Sequence, residues 1–205
     1  MKILHIDSSI TGAASVSRTL TQEIVDTLRA NAPAATVTYR DLALDPLPLM
    51  AGPLLGAMQD PTDRPETRQL RQVQQEFLDA DVVVIGVPMY SFGIPAQLKI
   101  WIDYLAQAGV TFAYTTEGPT GLAGGHRVIV ASSRGGLYGA GMPAAAFEHQ
   151  ESYVLGVLGF FGITDLEIIR AEGMAMGPDA AAVAMDSARA AIRALTVQKA
   201  DALVD

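Results

Sequence analysis

The sequence of 205 residues contains no cysteine, which excludes thiol catalysis, cysteine-ligated zinc sites and disulfide scaffolds. Basic side chains are also scarce, with 14 Lys and Arg against 22 Asp and Glu and a formal net charge of -8. Because proteins that bind nucleic acids usually present a basic face, this balance argues against a nucleic-acid partner. No run of about 18 uncharged apolar residues occurs, so we expect no transmembrane helix and no membrane partner.

The chain length and the first residues indicate a simple organisation. Division by about 150 residues per domain predicts one domain over residues 1–205. The apolar run at residues 3–7 is too short for the hydrophobic region of a signal peptide, and no small-residue cleavage site follows it. We therefore interpret this run as a core strand and expect a cytoplasmic protein.

Five segments are predicted to form strands. Three have continuous aliphatic character, at Ile3–Asp7, Asp81–Val87 and His126–Ser132. Two weaker candidates, Thr36–Arg40 and Leu166–Arg170, contain more polar residues. Continuous rather than alternating apolar runs are typical of strands buried on both faces, as in a parallel sheet.

Segments with helical periodicity lie between these strands. They are Leu20–Leu28, Leu70–Phe77, Leu98–Leu105, Leu155–Phe161 and Ala181–Leu195. Parallel neighbours need a crossover, usually a helix, so the alternation predicts a doubly wound five-stranded α/β sheet with helices on both faces. Both the dinucleotide-binding strand order and the flavodoxin-like order 2-1-3-4-5 are open at this point. The glycine- and proline-rich stretches 44–65 and 118–125 are predicted to be irregular excursions.

Several catalytic and binding motifs are missing. The sequence has no G-x-x-x-x-G-K-[ST], no G-x-G-x-x-G and no G-x-S-x-G motif, which argues against nucleoside triphosphate sites, the usual dinucleotide fingerprint and the α/β-hydrolases. The histidines His5, His126 and His149 lack metal-ligand spacing, and His5 is interpreted as a satisfied core residue.

Ligands of open α/β sheets bind beyond the carboxyl ends of the strands, so the loops there are the candidate sites. The first loop, Ser8–Arg18, is rich in hydroxyls and enters a helix. Its hydroxyls and the free N–H groups of a helix start suit a terminal phosphate, and Arg18 could add positive charge. A simpler interpretation is that Ser15 or Ser17 is the N-cap of the helix.

The other two loops have a different character. Met89, Tyr90 and Phe92 follow a buried strand, which suits a planar aromatic ligand but also ordinary core packing. The third loop, 133–136, contains two glycines that allow a close backbone approach, although a plain turn explains them equally well.

Taken together, the motifs resemble the azoreductase-type family of FMN-dependent NADH:quinone oxidoreductases, within the flavodoxin-like group. The matching segments run through the whole chain in order: Ser8-Ser9 with 15–17, 88–92, 97–99, 108–114, 118–122, 132–136, 158–165 and 171–173. The resemblance implies the flavodoxin-like strand order, a bound FMN, NADH or NADPH as electron donor, a quinone or azo acceptor, and a homodimer.

The resemblance also implies roles for individual residues. The cofactor-binding residues are those for the phosphate (Ser9, Ser15, Val16 and Ser17), for the isoalloxazine ring (Met89, Tyr90, Ser91 and Phe92) and for the wall near its pyrimidine edge (Ser133, Arg134, Gly135 and Gly136). The substrate-binding residues are Tyr138 and Tyr114 with Phe160 or Phe161, and the resemblance implies that a homodimer can supply the latter group across its interface. Two positions depart from the family, which often has Asn at Ser91 and His at Tyr138.

No protein side chain is predicted to carry the catalysis, because the chemistry of such an enzyme belongs to the flavin. The resemblance implies a ping-pong cycle in which NAD(P)H delivers a hydride and the acceptor then takes two electrons in the same pocket. Arg134 and the N–H groups of 133–136 are predicted to stabilise the reduced cofactor. An alternative function is a flavodoxin-like electron carrier or an FMN-binding regulator without turnover.

Overall fold

A computed structural model describes residues 1–52, 56 and 65–195 of the chain. Its strands are β1 (Lys2–Asp7), β2 (Thr36–Asp41), β3 (Val82–Pro88), β4 (Phe112–Thr115), β5 (Gly118–Gly121), β6 (Arg127–Ser133) and β7 (Asp165–Ala171). Five of them form one parallel sheet in the order β2-β1-β3-β6-β7. Without the two strands of the separate hairpin, this is the predicted 2-1-3-4-5 pattern, and all five predicted strands are confirmed.

The described helices follow the predicted periodic segments. They are α1 (Val16–Asn31), α2 (Pro65–Leu78), α3 (Ala96–Leu105), α4 (Glu151–Phe160) and α5 (Pro178–Ala194). Prolines lie at the start of three of these helices. Proline lacks an N–H group, but at these positions the N–H would have no partner within the helix. Pro65 and Pro178 are the first residues of their helices, and Pro95 directly precedes α3.

The core consists of two layers, one on each face of the sheet. Val83 and Ile85 of β3 point into the layer that contains Trp101 of α3, whereas Val82 and Val84 point into the layer beneath α1 and α5. All these side chains are at most 5% exposed. Burial on both faces is the reason for the continuous aliphatic runs.

The stretch 118–125 differs from its prediction. Instead of an irregular excursion, β4 and β5 form an antiparallel hairpin in which Tyr114 pairs with Pro119. A Cβ atom on Gly121 would lie 2.1 Å from the backbone nitrogen of Gly162, so a glycine is required where the hairpin meets the connection after α4. Of the other predicted excursion, 44–65, residues 53–55 and 57–64 lie outside the described residues.

Two further predictions concern organisation. In the part of the chain that the structure describes, no helix is long and apolar enough to cross a bilayer. The single domain over residues 1–205 stays a prediction.

Candidate functional site

The three candidate loops meet because β1, β3 and β6 are neighbours in the sheet. They surround a cavity of about 170 Å³. Eight of the predicted cofactor-binding residues line it: Ser9, Ser15, Val16, Met89, Tyr90, Ser133, Arg134 and Gly135. Ser17, Ser91, Phe92 and Gly136 are not among its lining residues. A groove of about 490 Å³ that shares Ser9 extends this cavity along the first loop. Cavity and groove together have a size typical of ligand sites, which are about 300 to 1,000 Å³.

The polar end of the site is the start of α1. Ser15 is the N-cap, and its hydroxyl accepts a hydrogen bond from the Arg18 N–H at 3.2 Å. The Ser15 Oγ also lies 3.1 Å from Ser17 Oγ, and both residues are buried. The N-cap interpretation is therefore confirmed for Ser15. Because the first N–H groups of a helix have no partner inside it, the Val16 and Ser17 N–H groups are suited to an anion.

Arg18 does not add free positive charge to this end. Its guanidinium donates to both carboxylate oxygens of Asp41, at 2.5 and 2.7 Å, and to the Ser9 carbonyl at 2.8 Å. A second carboxylate, that of Asp7, lies 3.5 Å away. The hydrogen bonds from Arg18 hold the pKa of Asp41 below its ordinary value. Arg18 is thus already paired with carboxylates, and what it offers the first loop is a fixed backbone position.

A polar cluster lies beneath this loop, in which His5 and Asp7 of β1 are buried and Tyr39 of β2 is exposed. Tyr39 donates to Asp7 at 3.0 Å and lies against the His5 ring, with 4.8 Å between centroids. Burial alone would raise the pKa of Asp7, but His5 and the hydroxyls of Thr21 and Tyr39 outweigh it and lower the pKa. His5 is a core residue as predicted, but the expectation that it is satisfied is wrong for its Nε2, which lies 3.6 Å from Asp7 and has no hydrogen-bond partner among the described residues.

The second loop is a tight hairpin turn. Tyr90 and Gly93 exchange backbone hydrogen bonds of 3.0 Å, and the two residues between them have positive φ, 48° at Ser91 and 72° at Phe92. The Tyr90 hydroxyl lies 3.0 Å from Ser9 Oγ and accepts from the Ile10 N–H at 3.1 Å. Tyr90 therefore links the aromatic loop to the polar one.

Exposed aromatic rings flank this turn. Phe92, which is 45% exposed, stacks on Phe147 with 5.1 Å between ring centroids. Tyr138 meets Phe92 edge to face at 6.2 Å. The predicted substrate residue Tyr138 is thus placed beside the predicted ring-binding loop, in a position to contact a flat ligand.

The other predicted substrate residues lie elsewhere. Tyr114 and Phe160 each pack against Phe112, with ring centroids 5.5 and 4.7 Å away. Phe161 is 0% exposed, because it continues the inner face of α4 into the core. Of the pair Phe160 and Phe161, only Phe160 is accessible to a ligand in this structure.

The third loop is closely joined to the end of β7. The Arg134 N–H donates to the Ala171 carbonyl at 2.9 Å, and the carbonyls of Arg134, Gly135 and Gly136 accept from N–H groups of residues 173–175 at 3.0 Å. The Arg134 side chain is 1% exposed and lies among carboxylates. Arg134 is predicted to stabilise the reduced cofactor, and its N–H and guanidinium already have partners within the protein, so neither is a free donor for that role in this structure.

Some residues around the site were not predicted from the sequence. Thr11, Ala14, Pro88 and Met174 complete the cavity wall. Met174 directly follows the matching segment 171–173, so the resemblance could have indicated that it lies near the site. Phe147 and Gln150 have no such signal, because both reach the site only through the packing of the chain between β6 and α4.

Comparison with known proteins identifies the relatives of this chain. The family model described as "Flavodoxin-like fold" matches residues 1–195. An FMN-dependent NADH:quinone oxidoreductase of Ralstonia nicotianae is 50% identical over 199 residues, which covers 94% of this chain and 95% of that protein. One of Methylorubrum populi is 54% identical over 200 residues, with coverages of 95% and 98%.

Solved structures are similar over almost the whole chain. The azoreductase of Bacillus anthracis strain Sterne superposes with a TM-score of 0.84 at 30% identity and covers 95% of this chain and 100% of its own. The FMN-dependent NADH-azoreductase of B. anthracis strain Ames Ancestor, solved in complex with FMN, has a TM-score of 0.84 at 26% identity, with coverages of 94% and 96%.

Proposed function

The chain belongs to the flavodoxin-like family of FMN-dependent NADH:quinone oxidoreductases, and on that premise we propose that it passes two electrons from NADH, through bound FMN, to a quinone or azo compound. The observation that carries this proposal is the meeting of a hydroxyl-rich helix start with an aromatic turn in one site, joined by the hydroxyl of Tyr90. FMN has the same two ends, a phosphate and a flat ring system.

The residues present fit the phosphate end of FMN. Two buried hydroxyls, on Ser15 and Ser17, and the N–H groups at the start of α1 offer several donors within one helical turn. The partial positive charge of a helix N-terminus favours an anion there. Because Arg18 is paired with Asp41, we infer that neutral donors and the helix dipole hold the phosphate against the overall negative charge of the protein.

The ring end is formed by the other two loops. We propose that residues 88–92 lie along the ring and that 133–136 form the opposite wall. FMN supplies the hydride and electron transfer. The protein orients the reactants, and the exposed rings of Phe92 and Tyr138 exclude water from one side of a flat acceptor. We propose that water supplies the protons.

We propose a homodimer, with α4 and the hairpin as part of the interface. On α4, Leu155 is 45% and Phe160 is 38% exposed, and on the hairpin Tyr114 is 76% and Leu122 48% exposed. Such neighbouring apolar side chains on a surface mark an interaction site. Tyr114 and Phe160 would then serve the partner's pocket. This interface and a cytoplasmic location remain predictions, and sedimentation of wild type and Leu155→Glu tests the dimer.

The function is tested by purifying the protein and measuring its flavin absorbance, followed by NADH oxidation with menadione as acceptor. NADPH in place of NADH measures the donor preference. Absence of bound flavin, together with no NADH oxidation after FMN is added, would refute the proposal. A flavoprotein that is reduced by NADH but turns over no acceptor would support the electron-carrier alternative.

The phosphate site has its own test. Removing both hydroxyls in Ser15→Ala/Ser17→Ala should weaken FMN binding by about a hundredfold or more, since each of the two lost hydrogen bonds to a charged group contributes about 1.5 to 3 kcal/mol. Thr27→Ala is the control, because Thr27 is on the same helix but its hydroxyl donates to the Glu23 carbonyl, away from the loops. Equal FMN affinity of the double variant and the control would show that the phosphate lies elsewhere.

A further inference from the structure

We propose that Arg134 and Gln150 are positioning residues that hold the β3 and β6 loops at a fixed separation. In this proposal the hydrogen bonds of the guanidinium keep the two loops in place, and its charge does not contact the cofactor. The inference rests on the proposed function only in assigning FMN to the space between these loops. The contacts themselves are independent of that assignment.

The guanidinium of Arg134 has no freedom to turn toward a ligand. Its Nε donates to Gln150 Oε1 at 2.8 Å and its Nη1 to Glu172 Oε1 at 2.9 Å. Its Nη2 lies 2.6 Å from Glu151 Oε1 and 3.4 Å from Glu148 Oε1. Removing a guanidinium from such buried carboxylates leaves them unpaired, which is costly.

The balance of charges around Arg134 also indicates that its charge is not directed at the cofactor. Three carboxylates, those of Glu148, Glu151 and Glu172, face two guanidinium groups, those of Arg134 and Arg170. The cluster therefore carries one negative charge in excess. The carboxylates of the cluster neutralise the positive charge of Arg134, so this charge does not stabilise an electron-rich ring.

Gln150 extends this cluster to the end of β3. The residue is 0% exposed. Its Oε1 accepts from Arg134, and its Nε2 donates to the Val87 carbonyl, one residue from the end of β3. Both ends of the amide are used, so its orientation is defined. A continuous path of hydrogen bonds thus joins Glu172, Arg134, Gln150 and Val87.

Two more contacts tie the same segment to the aromatic turn. The His149 N–H donates to the Phe92 carbonyl at 3.0 Å. Glu172 Oε1 accepts from the Tyr138 N–H at 3.1 Å. The segment that carries Gln150 therefore helps to hold the backbone of Phe92, and the cluster helps to hold the backbone of Tyr138.

The chain offers a closely matched control. Arg127 is the first residue of β6, and Arg134 directly follows its last residue. Arg127 donates to Glu167 of β7, and Arg134 donates to Glu172, which directly follows β7. Both arginines are buried, at 8% and 2% exposure. A strand of this length separates them by about 20 Å, so Arg127→Gln breaks an arginine–carboxylate pair far from the loops, although its Glu167 is more exposed than the partners of Arg134.

The experiment compares Gln150→Met, Arg134→Lys and Arg127→Gln with wild type. FMN affinity is measured by flavin fluorescence, steady-state kinetics give kcat and KM, and hydrogen exchange is followed in residues 89–93 without cofactor. Gln150→Met keeps the side-chain length but loses both hydrogen bonds. It should weaken FMN binding roughly tenfold and speed exchange in the turn, since a buried group is left unpaired. Arg127→Gln should lower thermal stability yet leave affinity and exchange within about twofold.

Arg134→Lys separates position from charge. If position matters, this variant should lose FMN affinity although the charge is kept, because an ammonium cannot bridge Gln150 and Glu172 as the planar guanidinium does. Wild-type affinity and exchange in Gln150→Met would overturn the proposal, as would equal losses in Arg127→Gln. If wild type bound no FMN, the proposed function would fail, and the exchange measurement would still decide whether the tether exists.

Discussion

The turn between Tyr90 and Gly93 gives a prediction that can be worked out from backbone geometry. Ser91 and Phe92 both have positive φ, as a two-residue hairpin turn requires. This left-handed conformation costs a residue with a side chain about 1 to 2 kcal/mol, and among the non-glycine residues the cost is smallest for Asn. Ser91 is exposed, so a substitution there disturbs no core packing.

The variant Ser91→Asn should therefore stabilise the protein by about 0.5 to 1 kcal/mol. For a chain of 205 residues, 1 kcal/mol corresponds to a rise in melting temperature of about 2 to 4 °C. Ser91→Ala is the matched control, because alanine keeps the strain and should change stability by less than about 0.5 kcal/mol.

Phe92→Gly tests the same reasoning at the second position. Glycine relieves the strain there, but it loses the stack on Phe147, worth about 0.5 to 1.5 kcal/mol, and adds freedom to the unfolded chain. We therefore expect no net gain. Thermal unfolding of the FMN-free variants by circular dichroism measures all three. If Ser91→Asn is no more stable than Ser91→Ala, the turn is not strained and the argument is wrong.

Three other predictions concern stability. Gly121→Ala should destabilise the protein by about 1 to 3 kcal/mol, since its Cβ would lie 2.1 Å from a backbone nitrogen, whereas the exposed neighbour variant Thr120→Ala should be nearly neutral in urea unfolding. Arg18 lowers the pKa of Asp41, so the stability that the carboxylate contributes is complete above its ordinary value of 3.8 and is lost as the pH falls through the lowered pKa. Asp41→Asn should be less stable at neutral pH and lose less on acidification, and an unchanged acid profile would contradict this. Burial and the Asp7 charge raise the pKa of Tyr39 from 10.0 to about 12, so its contribution is lost as the pH rises through that range, and Tyr39→Phe should flatten the alkaline loss.

The proposed phosphate site has to function in a protein of net charge -8. Arg18 and Arg134, the arginines within the candidate loops, are both paired with carboxylates. Attraction of the phosphate therefore depends on donors that are close and fixed, namely hydroxyls and helix N–H groups, and not on a long-range field. Fixed donors need a rigid loop, and Arg18 supplies that rigidity by holding the Ser9 carbonyl.

Much of the fold was determined by the sequence alone. The runs at β1, β3 and β6 are aliphatic on both faces because each is covered on both sides, and that requirement is visible in composition without any knowledge of partners. The N-cap at Ser15 could also be predicted locally, because its hydroxyl accepts from the N–H only three residues later. The positions of the candidate loops then follow from the strand order.

Only the tertiary structure decided how the polar and aromatic side chains are used. Arg134 looked free in sequence and is paired with carboxylates from α4 and from the residue after β7, while Phe161 looked accessible and is in the core. The hairpin at 112–121 has no apolar alternation of its own, and Gly121 is needed only because Gly162 approaches it. These features depend on partners many residues away, whose distance is set by how the helices pack on the sheet, and no local pattern of residues carries that information.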